Sequence, residues 1–359
     1  MSDPFGIYVH VPFCGARCDY CAFVTYVGRD ELHEAYVGAL LAEYELAYRT
    51  IEHPQATSVF FGGGTPSRLE APLIDRILGT LDLAPGAEVT LELNPEDATQ
   101  AHLDELVAAG VNRFSMGIQA SSPKVLAELG RVHRGDEIPE LLERLRCSGA
   151  ERWSVDLILG ARGEKDDDVV AAVEALCDGP AAPGHVSAYL LTVEKGTPLS
   201  RDEARHPDDE VLATRYELID DLLSARGFEW YEISNWAKPG QECRHNQLYW
   251  DQGDYLGLGV AAHSHSGGLR SWNISNLDTY LERLGSAQSP GAGEERVEGT
   301  SLAFERLALA LRTRQGVPLG AIQGADELPE FVEVVGDRLV LTLRGRLVAD
   351  EMVRRLKTD

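Results

Sequence analysis

The 359-residue sequence predicts an α/β fold: an open, partial barrel of six parallel strand–helix units, followed by a small winged-helix-like α+β unit. Three observations predict it. Short runs of β-branched and aromatic residues alternate with longer amphipathic stretches, the order of a parallel sheet with right-handed crossovers. Six alternations are too few to close an eight-unit barrel. After residue 300 the pattern changes to a helix and then a strand pair that runs into a helix.

Strands are expected at 6–11 (GIYVHV), 58–61 (SVFF), 88–93 (EVTLEL), 112–118 (NRFSMGI), 152–159 (RWSVDLIL) and 185–191 (HVSAYLL). A helix over 30–50 opens on Asp30 as its N-cap, and Leu32, Tyr36, Leu40 and Tyr44 recur at helical spacing. A further helix is expected over 165–177, and the acidic run 164–168 reads as its solvated start, with charges that suit the helix dipole. Residues 1–227 form the barrel in this reading. The aromatic, irregular segment 228–284 covers it and ends in a helix near Asn276–Leu284. Gly, Ser, Pro and Glu at 285–300 read as a linker. Residues 301–359 make the winged-helix-like unit, with a helix at 302–313.

The composition is ordinary for a globular protein, 44% hydrophobic and 25% charged. Its charge is not: 33 Lys and Arg against 58 Asp and Glu give −25. Such a surface repels phosphate backbones and anionic lipid, so no nucleic-acid partner is expected, and peripheral membrane association would need another attraction. The N-terminal stretch lacks the basic and long apolar parts of a secretion signal, and no apolar run reaches the length of a membrane span. Six cysteines in a chain of this size are not a disulfide scaffold, so a cytoplasmic setting is expected. Whether the chain forms a homodimer stays open.

Cys14, Cys18 and Cys21 stand in "YVHVPFCGARCDYCAF" with the spacing C-x3-C-x2-C, on a loop leaving the first strand. Three buried structural thiols so close together tend to bind metal or to oxidise. Zinc with His10 as fourth ligand is a second alternative, but the usual paired half of a zinc site is missing. An iron–sulfur cluster fits best: three thiolates around a four-iron cube leave one iron free to bind a substrate or cofactor. The scattered Cys147, Cys177 and Cys243 are expected to pack as small apolar residues.

Chemistry in parallel α/β barrels sits where strands end, and four strands carry polar or glycine features there. The second ends in GGGTP (62–66), where bare backbone can approach a ligand, although a tight turn into a helix starting at Pro66 explains the same residues. The third carries Glu92 among apolar neighbours, a carboxylate that asks for a cationic partner such as a ligand ammonium. The fourth ends near Gln119 and the fifth carries Asp156. Singly, each could merely tie strands together.

Taken together, the cysteine spacing and these strand-end residues resemble the radical S-adenosylmethionine superfamily, and from Gly6 through the tail its coproporphyrinogen branch. The resemblance implies a partial (β/α)6 TIM-like barrel with a [4Fe-4S] cluster on Cys14, Cys18 and Cys21. It implies an S-adenosylmethionine site lined by Tyr8, Tyr20, Phe23, Gly63, Gly64 and Thr65, with Glu92 holding the amino group and Gln119, Arg131 and Asp156 completing the pocket. The branch holds oxygen-independent coproporphyrinogen III oxidases and HemW-type haem chaperones. Phe23 stands where the oxidases carry a further cysteine, their N-terminal extension has no counterpart here, and HNQLYW (245–250) matches the HNxxYW signature of the chaperones. By that match His245 ligates haem iron, Asn246, Tyr249 and Trp250 share the haem site, and His10 is either a second ligand or a brace for the cluster loop. His263 and His265 read either as cavity residues or, the preferred reading, as surface histidines with no role. The function so implied is a cluster- and S-adenosylmethionine-binding chaperone that delivers haem to acceptor haemoproteins such as respiratory cytochromes. The alternative is the radical oxidation of coproporphyrinogen III to protoporphyrinogen IX.

Overall fold

A computed structural model describes residues 4–50 and 54–357. Strands β1 (Phe5–Val11), β2 (Ala56–Gly63), β3 (Leu83–Leu93), β4 (Arg113–Gln119), β5 (Arg152–Leu159) and β6 (His185–Leu190) lie in chain order, each parallel to the next. Between them run helices α1 (His33–Thr50), α2 (Ala71–Leu78), α3 (Gln100–Ala108), α4 (Pro123–Glu128), α5 (Ile138–Cys147) and α6 (Asp166–Cys177). Alternation along the strands separates two faces. Ile7, Val9, Phe61, Phe114, Met116 and Val155 belong to the buried hydrophobic core. Tyr8, Phe60, Glu92, Ser115 and Asp156 point the other way and line an interior cavity. The interior is therefore polar.

The sheet extends beyond these six strands on both sides. After α7 (Asp209–Ser224) come β7 (Glu229–Glu232) and β8 (Asn235–Ala237); β8 pairs antiparallel with β6, and β7 pairs antiparallel with β8 at the edge. Helix α8 (Arg244–Trp250) then packs under β1 and β2, with its first amides capped from the sheet: Arg244 N and His245 N donate to Glu88 Oε1 over 2.8 and 3.3 Å. Next, β9 (Asp254–Leu258) pairs parallel with β1, and β10 (His263–Ser266) and β11 (Leu269–Asn273) continue antiparallel. Helix α9 (Leu277–Gly285) packs on α1, and β12 (Gly291–Arg296) forms the edge. The twelve strands run β12-β11-β10-β9-β1-β2-β3-β4-β5-β6-β8-β7, an open sheet.

Helix α10 (Gly299–Leu311), strands β13 (Val317–Pro318), β14 (Val332–Val335) and β15 (Arg338–Leu341), and short helices α11 (Leu343–Leu347) and α12 (Ala349–Val353) form a unit with its own core around Leu311, Val317 and Leu339. Arg346 docks it on the sheet: its guanidinium bonds Asp220 at 2.8 Å and lies 4.5 Å over the Trp230 ring.

Several expectations need correction. The 285–300 stretch is not a bare linker, because Gly291–Arg296 pairs with Leu269–Asn273. Segment 228–284 is not irregular but supplies five strands and two helices. Asp30 does not cap α1; it sits in a 3-10 turn and pairs with Arg68. Glu164, in the acidic run expected to be solvated, is buried, accepts from Gly160 N at 2.7 Å and lies 3.4 Å from Arg215. Cys147 is exposed rather than packed, whereas Cys243 is buried beside Glu88.

Candidate functional site: a cysteine loop over a polar barrel mouth

The chain leaves β1 straight into the cysteine loop, and backbone bonds fasten the glycine turn after β2 beneath it. Gly64 N donates to Val11 O and Thr65 N to Phe13 O, both at 2.8 Å. A Cβ on Gly64 would lie 2.8 Å from Phe13 O, so only glycine allows this approach. Gly63 has φ +111°, and a Cβ there would press into the His10 ring. His10 Nε2–H donates to Val24 O (2.9 Å), while Nδ1 accepts from the Tyr8 hydroxyl (3.1 Å). His10 thus braces the far side of the cysteine loop.

Two sulfurs accept hydrogen bonds: Cys14 Sγ from Thr65 Oγ1 at 3.7 Å, and Cys18 Sγ from Arg131 Nη1 at 3.6 Å. Tyr20 also reaches Cys18, and the Phe23 amide faces Cys21. Burial pushes the Cys14 and Cys21 thiols up, and the neighbouring cysteines add to the effect. Among the described residues, no three His, Cys, Asp or Glu side chains converge closely enough to hold a single metal ion. A cluster takes one sulfur per iron, and three thiolates on one loop, two of them hydrogen-bonded by Thr65 and Arg131, fit that donor set.

Asn94, which the sequence reading passed over, links the two hydrogen-bonded sulfurs. Its Oδ1 accepts from Arg131 Nη2 at 2.7 Å and its Nδ2 donates to Thr65 Oγ1 at 3.1 Å, so Cys14, Thr65, Asn94, Arg131 and Cys18 form one chain. The signal was present in LELNP, directly after β3. Beside this chain, Glu92 Oε2 accepts from Gly63 N at 3.2 Å and has no ion-pair partner among the described residues. Burial, then the Asp156 charge, pushes its carboxyl up to about 8. Burial likewise raises Asp156 to about 6, against hydrogen bonds from Ser187 and Ser115. A buried carboxyl of this kind suits a ligand ammonium. Gln119 follows a register shift in β4 with φ 64°, and its amide folds back over Gly117, whose carbonyl Arg131 also holds. The structure therefore gathers Tyr20, Gly63, Gly64, Thr65, Glu92 and Arg131 around the carboxyl end of the strands, with Tyr8 and Asp156 at mid-strand on the cavity wall below. Phe23 is the exception: its ring is 66% exposed, and what it gives the loop is its amide.

Of the HNxxYW residues, His245, Asn246 and Tyr249 line the same interior cavity as Tyr8, Glu92 and Asp156, toward its amino end. The His245 ring is 0% exposed, with Nδ1 2.9 Å from Ser58 Oγ and Nε2 2.8 Å from the Tyr249 hydroxyl. It stacks on Phe60, and burial drives its pKa down to about 3. Asn246 Nδ2 reaches the Tyr231 hydroxyl at 3.1 Å and Glu232 at 3.2 Å. Trp250 Nε1 is buried with no partner among the described residues. A Cβ on Gly6 would touch the His245 ring, and four residues at about 3.3 Å each place His10 roughly 13 Å along β1. The Tyr8 and Phe60 rings stack between the two histidines. His10 and His245 cannot share one iron, so His10 keeps only its bracing role. His265 is buried against Tyr255 with Nδ1 3.0 Å from Gly253 O, contrary to the surface reading, whereas His263 is exposed and stacks on Trp272.

An open parallel barrel with C-x3-C-x2-C at the carboxyl end is the architecture of radical SAM proteins, and the Radical SAM superfamily model matches residues 8–176. The heme chaperone HemW of Mycobacterium tuberculosis is 44% identical over 375 residues, 99% of this chain and 95% of that protein. The heme chaperone HemW of Escherichia coli is 34% identical over 72% of this chain and 70% of its own length. The solved structure of coproporphyrinogen III oxidase (HemN) from Escherichia coli superposes with a TM-score of 0.83 at 21% identity, covering 98% of this chain and 89% of that one, a likeness of fold. The chain belongs to the HemW family within the radical SAM superfamily.

Proposed function

We propose that the protein is a haem chaperone of the cytoplasm that carries a [4Fe-4S] cluster and S-adenosylmethionine and passes haem to acceptor haemoproteins such as respiratory cytochromes. The observation that carries this reading is the 44% identity to a HemW heme chaperone over 99% of the chain. Cys14, Cys18 and Cys21 would hold the cluster, with Thr65 and Arg131 bonding two of the sulfurs. The cluster supplies, when bound, an iron with an open position for the amine and carboxylate of S-adenosylmethionine. Glu92 would accept hydrogen bonds from that amino group in a pocket shared with Tyr8 and Asp156. His245, with Asn246, Tyr249 and Trp250 on the same helix, is the haem ligand in this reading. Among the described residues no helix is long and apolar enough to cross a membrane.

An anaerobic haem titration followed at the Soret band tests the reading. The wild type is expected to saturate with haem, and His245→Ala to bind about tenfold or more weakly, as loss of a coordinating group or its support requires. A wild-type chain that takes up no haem ends the proposal; a His245→Ala chain that binds normally moves the haem away from this motif. Incubation with coproporphyrinogen III, reductant and S-adenosylmethionine is expected to give no protoporphyrinogen IX, and turnover would restore the oxidase reading.

A further inference from the structure

The amino end of the barrel interior holds a charge that neither the cluster nor the haem reading employs. Arg113 opens β4 and is 1% exposed, and it lines a cavity of about 120 Å³. One of its nitrogens, Nη1, donates to Gln241 O at 3.3 Å. Nε and Nη2 are buried with no hydrogen-bond partner, and no described carboxylate lies within ion-pair distance of the guanidinium. The nearby cation Arg152 is turned instead to Glu88, at 3.6 Å.

The residues around Arg113 are donors or neutral groups. On the interior face, Ser115 pairs across the sheet with Ser154, and Ser154 with His185. His185 Nε2 lies 2.8 Å from the Tyr231 hydroxyl, and its Nδ1 is buried without a partner. Burial, then the Arg113 charge, drives the His185 pKa well down, so the imidazole is neutral. Two acids share this face along the strands: Glu88, two residues before Arg113's partner Thr90, is turned to Arg152, and Asp156, four residues beyond its partner Arg152, accepts from Ser115 Oγ at 3.2 Å. What remains is one guanidinium with two unpartnered nitrogens on the wall of a partly open cavity that also carries serines, tyrosines and histidines.

We propose that this floor is a carboxylate-binding site, anchored by Arg113 and flanked by His185. A guanidinium fork meets the two oxygens of a carboxylate with parallel N–H bonds. A single cation beside a neutral imidazole, with Asp156 and Glu92 higher in the same cavity, suits a monoanion and disfavours a phosphate dianion. The carboxylate is either that of a small free acid or the acid arm of a larger ligand. Haem would qualify as the larger ligand, and only that second source rests on the haem reading.

Two measurements on the full chain test this. Crystals soaked in 5-bromo-2-furoate, an aryl bromide that does not alkylate the cavity's free Cys243, are expected to show an anomalous bromine peak in the cavity near Arg113; peaks on the outer surface alone, or none, overturn the proposal. In solution, acetate is expected to raise the unfolding temperature saturably beyond the effect of chloride at equal ionic strength. Arg113→Met is expected to weaken that apparent affinity about tenfold or more, as loss of a charge-assisted bond implies. An Arg113→Met chain with the acetate response unchanged also overturns it, and the soak stands even if that variant does not fold. Acetate that competes with haem but not with haem dimethyl ester assigns the acid-arm source; acetate that competes with neither assigns a free carboxylate.

Discussion

At the scale of single residues, the site divides into groups that the sequence announces and groups that only contacts reveal. The three cysteines and Glu92 were legible because clustered thiols and an acid among apolar neighbours are costly without a ligand. Asn94 was not, because an asparagine after a strand is ordinary and its role lies in two bonds to residues 29 and 37 positions away. Replacing Asn94 with alanine keeps every sulfur but breaks the chain between Cys14 and Cys18. The reconstituted cluster is then expected to be lost to a chelator about tenfold faster, and unchanged loss denies Asn94 a positioning role. Glu92 brings a pH dependence. With its carboxyl pushed up to about 8, it is mostly protonated at pH 6, and the ligand's amino group donates most strongly to the ionised form. S-adenosylmethionine affinity is expected to rise by up to about tenfold per pH unit from 6 toward 8 and then flatten. Glu92→Gln should bind weakly at every pH, and a flat wild-type profile by calorimetry would contradict the assignment. The same raised value means that, in the free protein, Glu92 subtracts stability as pH rises from about 4.5 to 8.

At the scale of elements, the six parallel strands were legible from β-branched runs, within a few residues at each end. β12 was not. Its sequence GAGEER carries no strand former, and Gly293 is held under the Trp272 ring, where a Cβ would collide with the indole. Pairing with β11 overrides propensity there. The cluster loop depends on a comparable close approach at Gly63. Gly63→Ala combines a strained φ with a collision against His10, and is expected to cost about 1–3 kcal/mol and to lower the iron content after reconstitution. Full iron content with an unchanged melting temperature would show that the loop tolerates a displaced His10.

At the scale of the whole molecule, the C-terminal unit is held by Arg346 on Asp220 and Trp230, by a single bridge from Thr313 to Glu232 and by the Arg314–Glu229 and Arg270–Glu305 pairs, rather than by a long shared strand. Removing Arg346 leaves the largely buried Asp220 with a hydrogen bond from Trp236 Nε1 at 2.8 Å and no cation. Arg346→Ala is expected to lower stability by about 3–5 kcal/mol in urea unfolding. A shift below about 1 kcal/mol would mean that the apolar contacts alone secure the unit. The docking was hidden from sequence because its partners come from α7, β7 and α11. The sheet's extension on both sides was hidden for the same reason, since β9 joins β1 across more than two hundred intervening residues.

The enclosure of His245 sets a kinetic condition on any cargo that it ligates. Both imidazole nitrogens are engaged, by Ser58 and Tyr249, so a metal gains a lone pair only after one bond opens. Loading through this residue would therefore be paced by the protein's own opening step. The observed rate constant should level off as haem concentration increases, and Tyr249→Phe should lift the plateau.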